Sequence, residues 1–294
     1  MAYIDDQLKL FKEMIEESIK TGGAKGKESC IRSSVLINLI HDAVKQDLIE
    51  HGIKEENIYP HFGDTKPEIK LAGFLKQKDQ DVCVLPDNIA KNAIKIDWGP
   101  MAFQNKNDPY GYEFSTNSLV INVRSQMSSL AKNADTLFER TFAESMNLHM
   151  RYPEVVLGEV YLIPVFEYDD AEVARNRIGF KTNKTDVEKY ISFFDSINNR
   201  SVDGDNYKYE RCTLLVVDFR KEQPKLYRNS AELKQDGIIS RNFGIEYATL
   251  GFDTFAEEII DIYAERYKVS NIQDINRIKR LSAYASKMRK FYEK

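Results

Sequence analysis

Cysteine, histidine and tryptophan are scarce in this chain, and each scarcity removes a class of chemistry. The three cysteines, Cys30, Cys83 and Cys212, are far apart. Two of them sit in apolar strand-like runs, so they read as reduced core residues of a cytoplasmic protein, not as a disulfide framework. The four histidines, His41, His51, His61 and His149, show no close metal-ligand spacing, which disfavours zinc. No Gly-x-Ser-x-Gly elbow or cysteine nucleophile motif occurs, which disfavours acyl transfer. No apolar run approaches the roughly 18 residues of a membrane span. The opening Met1-Ala-Tyr-Ile-Asp-Asp also lacks a basic-then-apolar leader. The expectation is a soluble, cytoplasmic protein with no membrane partner. Gly22-Gly-Ala-Lys-Gly26-Lys27 resembles a phosphate-binding loop, but Thr21 stands where that loop needs its first glycine and a helix precedes it. It reads as a helix terminator and a basic turn.

An excess of positive charge is lacking too. With 42 Lys and Arg against 46 Asp and Glu, the formal charge is -4. That argues against a protein that coats nucleic acid without regard to sequence, though not against a sequence-specific DNA binder. The charge is unevenly placed. Residues 271–294 carry seven Lys or Arg against Asp274 and Glu293. In the same segment Ile272, Ile275, Ile278, Leu281 and Met288 interleave with the basic residues, which fits a packed helix with a solvated face or a DNA-backbone contact.

What is present suffices for a large core, since 42% of the residues are hydrophobic. The chain reads as one elaborated domain over 1–294, with a helical part at 1–60, a core at 61–168 and further strands and C-terminal helices at 169–294. Ile4, Leu8, Phe11, Ile15 and Ile19 predict an amphipathic helix stopped at Thr21-Gly-Gly, and Leu36, Ile40, Val44 and Leu48 predict a second, capped by Gly52. Strands are expected over 68–75 and 81–85, joined by a charged turn at 76–80, and again at 118–126. A helix of about six turns from Leu130, then a strand from Gly158 to Val165, makes a β-α-β crossover with both strands parallel. Another buried strand runs from Cys212 to Asp218, and helices over 255–267 and 271–292 close the chain. The fold class is α/β, a mixed central sheet flanked by helices.

Three segments concentrate polar groups at strand ends: Glu68-Ile-Lys-Leu, Asp79-Gln-Asp81-Val-Cys-Val and Leu119-Val-Ile-Asn122-Val-Arg124-Ser-Gln126. In a hairpin the start of one strand meets the end of the other, so Asp81 should lie near residues 122–126, whereas Asp87 falls at the far end as a turn residue. Asn122, Arg124 and Gln126 share one face of their strand, because side chains alternate with a period of two. Polar groups there need partners, or a ligand. Glu144 on the following helix can reach the same end of the sheet, or simply pair with Arg140 four residues earlier.

Glu68-Ile-Lys70, Asp81-Val-Cys-Val, Ile121-Asn-Val-Arg124-Ser-Gln126 and Phe138-Glu-Arg-Thr-Phe-Ala-Glu144 follow one another in the order hairpin, active-site strand, crossover helix. In this the stretch 60–168 resembles the PD-(D/E)XK nuclease superfamily, and within it the type II restriction endonucleases. The resemblance implies a restriction-endonuclease-like fold and Mg²⁺-dependent hydrolysis of double-stranded DNA by a homodimer on a palindromic site, with Asp81 as metal ligand and Glu68 as accessory carboxylate. The family's second acid falls on Asn122 and its lysine on Arg124, which are departures. Asn122 can ligate through oxygen but carries no charge, and Arg124 can hold phosphate but cannot act as a base. Glu144 or Glu68 would have to complete the site, as in family members whose acid has moved to this helix, or else the register differs. The polar segments 86–117 and 169–210 are the expected base readers. A repair or phage-type nuclease of the same superfamily, and a non-catalytic DNA-binding module, stay open as alternatives.

Overall fold

The computed structural model describes residues 2–267, so the basic helix expected over 271–292 lies outside the described residues. The chain opens with α1 (Tyr3–Arg32) and α2 (Ser34–Glu50). Next come β1 (Ile58–Tyr59), β2 (Ile69–Ala72), β3 (Gln77–Gln80) and β4 (Val82–Val84). An arm follows, built from β5 (Ile94–Lys95), β6 (Asn107–Asp108) and α3 (Tyr112–Thr116). β7 (Leu119–Ser125), α4 (Leu130–His149) and β8 (Val156–Pro164) form the crossover unit. Then α5 (Asp170–Val173), α6 (Val187–Ser196), β9 (Arg211–Asp218), β10 (Lys225–Leu226), α7 (Ser230–Gln235) and α8 (Phe255–Arg266) complete the described chain.

The central sheet has six strands in the order β1-β4-β7-β8-β9-β10. β7, β8 and β9 are parallel, and the outer strands pair antiparallel. The sheet is therefore mixed, with helices on both faces. β8 and β9 are buried along their whole length, as parallel strands covered on two sides must be. Alternate side chains feed two cores. Ile121, Val160 and Leu215 pack beneath α1, α2 and α8, while Val120, Tyr161 and Leu214 pack beneath α4, α6 and α7. Cys83 and Cys212 lie in the second core as free thiols. Gly158 permits the close seating of α8, because a Cβ there would meet Ile259 and Phe255 at 2.7 and 2.9 Å. Among the described residues, no helix is long and apolar enough to cross a membrane.

Two expectations need correction. The helix foreseen to stop at Thr21-Gly-Gly is only kinked there. Gly23 takes φ 55°, which a residue with a Cβ resists, and helix resumes to Arg32. Residues 76–80 are not a turn. Gln77–Gln80 is a strand paired with Ile69–Ala72 in a separate two-stranded sheet, and Gly73 to Lys76 makes the turn. The sequence misleads because Lys76-Gln-Lys-Asp-Gln80 has turn-like composition. The strand forms because one face, Lys78 and Gln80, is turned inward with Ile69 and Leu71.

Candidate functional site

The site begins where β4 runs out. Its pairing with β7 ends at Val82↔Ile121, so Asp81, one residue earlier, falls opposite Asn122. The Asp81 Oδ2 then accepts the Val123 N–H at 2.9 Å, taking over where the short strand leaves off. On its other side Asn122 is paired with Glu159 of β8. Asp81, Asn122 and Glu159 thus form one row across three adjacent strands.

Side chains from β3 and α4 close over that row. Lys78 Nζ donates to Asn122 Oδ1 at 3.1 Å and to Glu144 Oε2 at 2.6 Å. Arg124 donates to Thr141 Oγ1 at 2.9 Å, pairs with Glu144, and holds its Nε 3.4 Å from Glu159 Oε1. Arg140 reaches Glu144 Oε1 at 3.2 Å, so the four-residue helix pair and the reach to the sheet are both realised. Burial alone would lift the Glu144 carboxyl, but Arg124 and Lys78 outweigh it and hold the group below the usual carboxylate range. Burial also opposes the Arg124 charge, and Glu159, Glu144 and Asp81 overcome it and raise its pKa.

Glu159 differs from the rest. It is fully buried, and neither carboxylate oxygen has a hydrogen-bond partner, the Arg124 contact being an ion-pair distance without hydrogen-bond geometry. Burial pushes its pKa up to about 7 in spite of Arg124 and Lys78. An unpartnered buried carboxyl is costly, and this one is the β8 neighbour of Asn122, which with Asp81 and Glu68 was expected to hold a cation.

The other expected residues are distributed unevenly. Glu68 precedes β2 and, by extension of the β2–β3 register, falls opposite Asp81. Its carboxylate is engaged by Lys66 rather than by the cluster. Gln126 is not part of the charged site. Its Oε1 accepts the Tyr190 and Tyr161 hydroxyls at 2.7 and 3.3 Å and its amide reaches the Ser129 and Leu130 carbonyls, pinning β7 to α4 and α6. Asp87 pairs with Lys54. Lys78 and Glu159 were missed. Glu159 had a visible signal, a single charge inside Val155-Val-Leu-Gly-Glu-Val-Tyr-Leu-Ile. Lys78 had none until the strand around it was known.

Among the described residues no three His, Cys, Asp or Glu side chains converge as a ligand set. Mg²⁺ does not require one, since it commonly takes one or two carboxylates and completes its shell with waters and substrate phosphate. The donors here are hard oxygens, from Asp81, the Asn122 amide and the two unpartnered oxygens of Glu159. Their chemistry fits the ion. Access runs through Lys78 and Arg124, because Asn122 and Glu159 are buried beneath them.

Compared with protein-family models, with curated proteins and with solved structures, the chain has no match in any of the three. Its functional reading therefore rests on these residues.

Proposed function

We propose that this protein is a Mg²⁺-dependent, sequence-specific endonuclease of double-stranded DNA, a type II restriction enzyme acting as a homodimer. The observation that carries the reading is the row of Asp81, Asn122 and Glu159 across three strands, roofed by Lys78 and Arg124. Glu159 supplies the negative charge that Asn122 lacks, a role the sequence had left to Glu144 or Glu68. Glu144 instead balances the cations.

Asp81, Asn122 and Glu159 would hold the metal. Bound there, Mg²⁺ supplies Lewis acidity, lowering the pKa of an attacking water and screening charge on the scissile phosphate. The chain's own part is electrostatic positioning. Arg124, fixed by Thr141 and Glu144, presents a guanidinium to a phosphate oxygen, and Lys78 adds an ammonium on a flexible stem that can move from Asn122 to the incoming anion. Lys78 takes the place of the family lysine that Arg124 cannot fill. Cleaving both strands calls for two such sites, most simply from a two-fold pair of chains.

A second reading, a DNA-binding module without catalysis, is favoured by one observation: the Asn122 oxygen is already occupied by Lys78. Digestion of phage DNA with Mg²⁺ separates the two. Discrete fragments from the wild type, lost in Asp81→Ala and Glu159→Gln, support the restriction enzyme. A smear would indicate a repair or phage-type nuclease, and binding without cleavage in Mg²⁺ or Mn²⁺ would indicate the module. Equal cleavage by wild type and both variants would remove this row from the chemistry.

A further inference from the structure

Phe103 is 93% exposed, a large apolar side chain held out in water by a well-anchored arm. It lies on a 3-10 turn, Pro100–Gln104, between Gly99 at φ 72° and Asn105 at φ 52°. Two residues earlier, Met101 is buried with Ala72 and Ile96 in a small core of its own. The arm's base is pinned as well. Trp98 packs on Phe74 with ring centroids 5.7 Å apart and under the Arg151 guanidinium at 4.8 Å, while Arg151 Nε donates to the Gly73 carbonyl at 2.8 Å. Gln77 Nε2 ties β3 to the Asn107 carbonyl at 2.7 Å. The aromatic tip is thus pre-positioned, which removes much of the ordering cost of binding.

Beside it lies a cleft of about 240 Å³ lined by Lys70, Lys76, Gln77, Met101, Gln104 and Lys106. Lys70 shares its charge with Asp79 at 3.4 Å. Lys76 and Lys106 have no acidic partner among the described residues, in a chain whose formal charge is -4. A concentration of unbalanced ammonium groups against the sign of the whole molecule is complementary to a polyanion. The cleft and the site described above lie on opposite faces of the same hairpin. Successive residues of β3 point to opposite faces, so Gln77 lines the cleft while Lys78 enters the acidic cluster.

Resting on the nuclease reading, the geometry points to the 94–108 arm as a duplex-DNA clamp, in which Phe103 stacks on or wedges between bases and the Lys70, Lys76 and Lys106 cleft holds a neighbouring backbone phosphate. The aromatic ring supplies stacking and the lysines supply position.

The test is fluorescence anisotropy of the full-length protein on a labelled mixed-sequence duplex, without divalent metal and over a series of salt concentrations. Phe103→Ala is expected to bind about tenfold more weakly with the salt dependence unchanged. The Lys76→Ala, Lys106→Ala double variant is expected to flatten the slope of log K against log salt by about 0.9, the value for one phosphate contact. Phe103→Trp should gain emission that duplex quenches, beyond any change of Trp98 in the wild type. All three residues are exposed, so the variants remove no core packing. Unchanged affinity, slope and emission would overturn the clamp. So would a concentration-dependent dimer lost in Phe103→Ala with DNA binding intact, which would assign the tip to a second copy. Failure of the nuclease reading looks different: wild type that binds duplex through the arm yet never cuts it with Mg²⁺.

Discussion

Lys78 Nζ lies 2.6 Å from Glu144 Oε2, joining a small hairpin to the crossover helix across 66 residues of chain. The contact brings a lysine beside Asn122 and Arg124, the two positions at which the sequence departs from the nuclease pattern it resembles. It also makes the hairpin part of the candidate site.

Lys78→Met keeps the apolar stem and removes the charge. DNA cleavage is expected to fall at least a hundredfold, the scale of losing one preorganised charge at a reacting centre. The loss in stability should be small, about 1–2 kcal/mol, because Glu144 retains Arg124 and Arg140. Single-turnover cleavage and a urea melt on the same preparation check both. Full activity in this variant would return Lys78 to a structural role.

Removing Arg124 should be far more damaging to the fold. It is the cation nearest both Glu144 and Glu159, and taking one partner from a buried ionic group costs about 3–5 kcal/mol. Arg124→Lys keeps the charge but cannot serve Thr141, Glu144 and Glu159 together, and is expected to fall between wild type and Arg124→Ala in midpoint of unfolding. Equal midpoints for Lys and Ala would show that charge contributes nothing here.

Glu159 predicts a pH dependence of the metal-free protein. Its folded-state pKa is raised to about 7 from an ordinary 4.5, so the folded chain keeps a proton that the unfolded chain releases. The associated stability is fully present below the unfolded value and is lost as pH rises through the folded one. At about 1.4 kcal/mol per pKa unit this amounts to roughly 3 kcal/mol. Glu159→Gln has no such titration. Its stability should gain on the wild type between about pH 5 and 7 and then stay level, as read by denaturant midpoints across that range. Parallel profiles would contradict the unpartnered buried carboxyl.

Gln126 predicts the reverse of a catalytic residue. Gln126→Leu leaves the Tyr161 hydroxyl without its acceptor and Tyr190 with only the Leu130 carbonyl at 3.4 Å, which should cost about 1–3 kcal/mol, while cleavage per folded molecule stays near that of the wild type. A strong loss of kcat in a fully folded Gln126→Leu protein would place it back among the functional residues.

The sequence by itself determined the four inner strands of the sheet and most of its covering, but not the edge strands β1 and β10. The runs expected as strands at 118–126, 158–165 and 212–218 are strands Leu119–Ser125, Val156–Pro164 and Arg211–Asp218, and the spacing of Leu130 to Met146 marks a helix, so the parallel crossover followed from local pattern. It also placed Asp81 beside Asn122, because strand ends meet in a fixed way. Only the tertiary structure decided which charges meet. Lys78 lies in a stretch of turn-like composition and became a strand residue through pairing with Leu71, and Glu159 acquired its neighbours through the register of β7 against β8. Gln126 shares a face with Asn122 and Arg124, yet the helices packed above it differ, and two tyrosines claimed it first. Periodicity reports which face a side chain takes, whereas its partners come from elements far away in the chain, whose arrangement is set by packing the whole core.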